Sequence, residues 1–139
     1  MPELRSIQRA SGPFEVTLAP LASAWASDPA PLARMSIEKQ FTGDLSASSR
    51  GEMLSASTAV KGSAGYVALE KVTGTLHGRE GTFVLQHTGT MNRGVPTLSI
   101  SVVPDSGTGA LAGLTGSMQI IIDNTRHSYI FDYSFAAAA

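Results

Sequence analysis

The chain has no cysteine, which excludes disulfides, thiolate metal sites and cysteine nucleophiles. Charge is scarce as well. Charged residues make up 15% of the 139 positions, the net charge is −1, and the basic residues form no run. That balance argues against a dedicated nucleic-acid or acidic-membrane surface. No apolar run approaches the roughly 18 residues that a membrane helix needs. The N-terminal MPELRSIQRASGPF carries charges but no apolar stretch of the signal-peptide kind. These absences lead to the expectation of a cytoplasmic, soluble protein. Long amphipathic helices are missing too, since apolar residues nowhere recur at helical spacing over a useful length.

What remains is a chain with 42% hydrophobic residues, enough for one domain that buries about two-thirds of its unfolded surface. Residues 1–12 read as a flexible leader ended by Gly12-Pro13, residues 13–135 as a single domain, and residues 136–139 as an alanine tail. Within the domain, short alternating runs follow one another between glycine-rich turns. Phe14, Val16 and Leu18 alternate with polar neighbours. So do Met35, Ile37 and Phe41 in a strand over 32–42, and Leu98, Ile100 and Val102 in the run VPTLSISVV. Lys39 falls on the apolar face of its strand, either snorkelling at a barrel end or standing inside as a second charge; snorkelling is the favoured reading. The polar GDLSASSRGE reads as a connection, and 52–60 as the next strand. Residues 21–31, around Trp25, read as a loop or short turn whose tryptophan anchors it or covers a cavity mouth.

Residues 64–92 form the central hairpin. His77-Gly78-Arg79-Glu80 places glycine first in a two-residue turn, where type II′ geometry needs a positive φ. That turn pairs Glu70 with His87, Val72 with Leu85, Gly74 with Phe83, and Tyr66 with Met91 on one face. The other face, rich in Thr, Lys and Gln, is the solvated one. The last two strands join at Asn124-Thr125, pairing Ile122 with His127, Ile120 with Tyr129, and Met118 with Phe131. The sum is about eight strands with mostly meander connections, an all-β fold, and eight strands close into a small antiparallel barrel filled by side chains or by one ligand.

Few motifs carry chemistry. Gly107-x-Gly109-x-x-Ala112 matches a dinucleotide fingerprint formally, but Gly113 and Gly116 follow and leave no room for the helix it requires, so it reads as a turn, with one helical turn at 110–114. His77, His87 and His127 lack metal-ligand spacing, and no Gly-x-Ser-x-Gly elbow is present. No metal or other cofactor is expected. Glu70 opposite His87 remains, a carboxylate–imidazole pair on an otherwise apolar face, able to relay a proton or orient a water. A satisfied structural pair is the competing account. Tyr66, Tyr129 and Tyr133 can offer phenol groups to the same interior.

Several stretches carry a resemblance: Phe41-Thr42-Gly43-Asp44-Leu45, Tyr66-Val67-Ala68-Leu69-Glu70, Val72-Thr73-Gly74-Thr75-Leu76, the run 78–87, Val103-Pro104-Asp105-Ser106-Gly107-Thr108-Gly109 and His127-Ser128-Tyr129. Over most of 32–135 the chain resembles a bacterial family of unknown function with an allene-oxide-cyclase-like barrel. The resemblance implies a small barrel with a lumen and brings no reaction with it. The functional expectation is an apolar small molecule bound inside, with Glu70 and His87 as the catalytic pair of an isomerase or cyclase. Tyr66, Val72, Phe83, Leu85, Met91, Leu98, Ile100, Tyr129 and Phe131 would line the site. A non-catalytic carrier or sensor, or a structural domain with a filled barrel, are the alternatives. The oligomeric state is open.

Overall fold

The structure is a computed structural model, and it describes residues 6–24, 27 and 32–136; the Trp25 reading falls outside them. Eight antiparallel strands close into a barrel in sequence order. They are β1 (Gln8–Leu21), β2 (Ala33–Phe41), β3 (Leu45–Ser57), β4 (Ala64–Leu76), β5 (Arg79–Asn92), β6 (Val95–Val102), β7 (Leu114–Asp123) and β8 (Arg126–Phe135). A three-residue 3-10 turn, Gly109–Leu111, is the sole helical piece among the described residues, and no helix there is long and apolar enough to cross a membrane.

Two expectations about strand limits are corrected. The barrel closes through β1 residues 8–14, which pair with β8 from Tyr133 to His127. Residues 8–12 are therefore wall and not leader. Gly12-Pro13 does not break the strand, because the Pro13 carbonyl accepts the Thr42 N–H at 3.0 Å. Likewise GDLSASSRGE is mostly strand. Leu45, Ala47 and Ser49 point inward at a period of two, and β3 pairs with β2 and β4 along its length. Small and polar residues hid a strand whose inner face must be slim.

The central hairpin has its faces as expected and its register displaced by two residues. His77 (φ +46°) and Gly78 (φ +80°) are both left-handed, as a type I′ turn requires, so Leu76 pairs with Arg79. Glu70 then lies opposite Leu85, His87 opposite Ala68, Val72 opposite Phe83, and Tyr66 opposite Gly89. A histidine tolerates this conformation because its N–H donates to the Asp44 carbonyl at 2.9 Å and its ring meets the Tyr133 hydroxyl. Displacement by two preserves parity, so no side chain changes face. The β7–β8 register matches the expected pairs, Ile122–His127, Ile120–Tyr129 and Met118–Phe131.

One end of the barrel is filled. Leu45, Leu76, Phe83, Leu111, Leu114, Phe131 and Tyr133 are buried there, and the 3-10 turn closes the end with Leu111. Beyond β6, the 103–108 loop takes over pairing with the start of β5. The Thr108 N–H donates to the Thr82 carbonyl at 2.8 Å, while the hydroxyls of Thr108 and Ser106 accept from the Thr82 and Val84 N–H groups. The Gly107–Ala112 stretch is thus structural, with its turn one residue earlier than expected. At the opposite end Leu18, Met91, Leu98 and Ile122 remain exposed.

Two glycines separate the two reasons for having one. A Cβ on Gly51 would lie 2.1 Å from the Leu69 carbonyl, whereas one on Gly78 would meet nothing. Gly78→Ala should cost about 1 kcal/mol through φ alone, and Gly51→Ala about 3 kcal/mol through forced strand separation. Urea denaturation followed by circular dichroism measures both.

Candidate functional site

Glu70 stands in mid-strand on β4, facing inward and 0% exposed. A bare carboxylate there would be strongly destabilising, so its oxygens must be satisfied. The neighbouring strands do this. Across β3 its register partner is Gly51, which has no side chain to interfere. On the diagonals stand Ser49 of β3 and His87 of β5. The Ser49 hydroxyl donates to Oε2 at 2.6 Å, and His87 Nε2 lies 2.7 Å from Oε1. From β2, Lys39 brings its ammonium to the same Oε1 at 2.9 Å. Lys39 and His87 are 6% and 3% exposed. The ammonium also lies 5.2 Å and 5.8 Å from the ring centroids of Phe14 and Phe41, a favourable cation–π arrangement.

The sequence reading brought Glu70 and His87 together, and the structure places them in contact, on a diagonal instead of directly opposite. Lys39 does not snorkel; it is the counter-ion. Ser49 was missed because its strand was read as a connection, although the inward series Leu45, Ala47, Ser49, Gly51, Met53 was there to be seen.

Burial by itself pushes the Glu70 carboxyl up. The His87 hydrogen bond, the Lys39 charge and hydrogen bond, and the Ser49 hydroxyl outweigh it and hold the group down to about 2. Because the carboxylate is an acceptor only, Nε2 of His87 must donate to it. The other ring nitrogen, Nδ1, lies 3.3 Å from the Tyr66 hydroxyl. With the imidazole neutral, Nδ1 accepts from the phenol and the cluster carries no net charge. Burial, and then the negative charge of Glu70, raise the Tyr66 phenol, so it stays protonated. Its ring packs against Gly89, where a Cβ would come within 2.4 Å.

Tyr66 leads outward. With Met53, Met91, Pro96 and Leu98 it lines an open trough of about 420 Å³ on the inner side of the β3–β6 wall. Of the residues expected to line a ligand site, Tyr66, Met91 and Leu98 line this trough. Val72, Phe83, Leu85, Ile100, Tyr129 and Phe131 are instead packed into the core. Tyr129 is a tie: its hydroxyl accepts the Leu45 N–H at 2.8 Å and donates to the Thr42 carbonyl at 2.7 Å. Two wider depressions, about 620 and 680 Å³, lie over outward-facing residues such as Arg50 and Lys71 or Glu52 and Leu69. Among the described residues no group of three His, Asp or Glu is arranged to hold a metal.

The Glu70 cluster sets a pH dependence. The folded carboxyl titrates at about 2 against an ordinary 4.5, so between these values the unfolded chain binds the extra proton. The stabilisation is present above pH 4.5 and lost as pH falls toward 2; at about 1.4 kcal/mol per unit it amounts to about 3 kcal/mol. Denaturant titrations across that range should show the loss. Glu70→Gln should be less stable at neutral pH by about 3–5 kcal/mol, since it leaves Lys39 buried without its counter-ion. The variant should also lose most of the dependence between pH 4.5 and 2.

A family model described as "Protein of unknown function (DUF3224)" matches residues 10–133. A crystal structure of a protein of unknown function from the same family, from Shewanella oneidensis MR-1, is 50% identical. It superposes with a TM-score of 0.88 over 95% of this chain and 100% of its own. No curated protein matches. Neither the family nor the Shewanella protein is described as an allene oxide cyclase, so the comparisons do not support that label. With nearly the whole barrel matched, this chain belongs to the DUF3224 family of proteins of unknown function.

Proposed function

We propose that the protein binds a small, largely apolar molecule in the trough and that Tyr66 and His87 act on the polar end of that molecule. The observation that carries this reading is the chain of hydrogen bonds from buried Glu70 through His87 to Tyr66, the residue that lines the trough. Imidazole is the side chain that exchanges protons near neutral pH. With Nε2 fixed by the carboxylate, Nδ1 is the nitrogen available for exchange. It can take the phenol proton while the phenol oxygen accepts one from a ligand hydroxyl, and the return transfer from Nδ1 through the phenol delivers a proton to another atom of the ligand. Such a relay suits an isomerase or cyclase, which moves protons and needs no other reagent.

Glu70 takes a narrower part than the sequence suggested. A carboxylate held down to about 2 by three donors is a poor proton acceptor, so it serves as the positioning residue that fixes the imidazole. Ligand binding without turnover is the second reading. It is favoured by the completeness of the cluster, since no buried side-chain nitrogen or oxygen among the described residues lacks a partner.

Native mass spectrometry of the protein purified from its own source should reveal a retained small molecule. Leu98→Arg, at the trough rim, should reduce its occupancy at least about tenfold by placing a charge on the apolar wall. Ile121→Arg, on the outer face, should leave occupancy unchanged. Conversion of the retained compound by wild type but not by His87→Gln, both folded by circular dichroism, selects the enzyme. Equal loss of occupancy in both arginine variants, or no retained molecule at all, defeats the trough as a site.

A further inference from the structure

We infer that the ligand of the trough is uncharged: an apolar chain or ring ending in one hydroxyl or carbonyl oxygen, neither an acid nor an amine. This rests on the trough being the binding site. The inference comes from which charges the fold has placed out of reach. No Asp, Glu, Lys, Arg or His is among the described residues that line the trough. The cation buried in the interior, Lys39, is 6% exposed and is engaged by Glu70 at 2.9 Å, beside the Phe14 and Phe41 rings. A ligand carboxylate or phosphate entering the trough would shed water and find no counter-ion, a costly exchange. It would also approach Tyr66, where the field of Glu70 is already felt as negative.

An ammonium fares no better. Glu70 is 0% exposed and engaged by Lys39, His87 and Ser49, so it has no free oxygen to offer. Polar side chains do line the trough, the neutral Ser55, Ser57, Thr90 and Thr97, and with them Tyr66, whose oxygen is tied to the Glu70 cluster. The phenol proton is directed at His87 Nδ1, and the remaining lone pairs of the phenol oxygen are open to a donor. A hydroxyl, or the enol form of a carbonyl, supplies that donor without bringing charge. The thioethers of Met53 and Met91 beside it are flexible and polarisable, fitted to a chain or ring of variable shape.

The test uses three probes that share one chain and differ in the head group: 1-octanol, octanoate and octylammonium at pH 7. Each is titrated into 15N-labelled protein while the amide signals of Gly65, Gly89 and Leu98 are followed. The expected result is saturable binding of 1-octanol, with octanoate and octylammonium at least about tenfold weaker. Tyr66→Phe should weaken 1-octanol about three- to tenfold and leave the two charged probes unchanged. Octanoate or octylammonium binding as tightly as 1-octanol overturns the inference while leaving the trough intact as a site. So does an unchanged 1-octanol affinity in folded Tyr66→Phe. Failure of all three probes to move the trough amides defeats the binding reading itself, and this inference with it.

Discussion

A carboxylate sealed inside a protein has to be answered by donors, and the answer given to Glu70 ties this barrel together. The donors come from three different strands: Lys39 on β2, Ser49 on β3 and His87 on β5, around an acid on β4. Through Phe14 and the Lys39 ammonium the contact extends to β1. Five neighbouring strands thus have their relative positions fixed at one point. A slip of any one of them would leave a charge or a polar group alone in the interior, at a cost larger than most single packing changes. A flat apolar face allows a sheet to slide by two residues with little penalty; this cluster removes that freedom.

The space for it comes from small residues that would otherwise weaken strands. Gly51 sits against the Glu70 backbone and Cβ, and Gly89 lies under the Tyr66 ring. Glycine in a strand forfeits packing and backbone order. Here the loss is recovered by the neighbour that occupies the vacated volume. At Gly89 an aromatic ring covers the bare backbone, and the covering directs the Tyr66 hydroxyl to His87. The position of the phenol is therefore a consequence of a missing side chain two residues from the imidazole.

Much of this was legible in the sequence, and the parts that were not share a physical cause. Parity is robust: it needs only the alternation of apolar and polar residues, so the faces of the central hairpin and the β7–β8 register could be read directly. Phase along a strand is less visible. His77 adopts a left-handed backbone that histidine seldom takes, sustained by Asp44 and Tyr133 from distant parts of the chain, and no local rule anticipates that. The inner face of β3 was illegible because its residues are chosen to leave room for Lys39 and Glu70, not to be apolar. Lys39 was misjudged for a related reason. Its partner lies 31 positions away, and a lone lysine on an apolar face is otherwise best placed at a rim.

The barrel holds a second carboxylate–imidazole–phenol series, and comparing the two shows why only one is read as a site. At the filled end, Asp44 lies 3.7 Å from His77 Nε2, and the His77 ring meets the hydroxyl of Tyr133, which also donates to Gln8. There the carboxylate is exposed and the phenol is buried in the core. The carboxylate lies at the surface and accepts the Ser11 N–H at 3.0 Å, and the phenol ends among packed side chains that hold β1 and β8 against the β4–β5 turn. In the Glu70 series the order of burial is reversed. The charge is sealed where solvent cannot screen it, so its hold on the imidazole is strong, and the phenol opens on an apolar trough. The same kinds of group thus form a solvent-facing brace at one end and a sealed cluster that reaches the trough at the other. Burial of the carboxylate, more than the presence of the three groups, separates them.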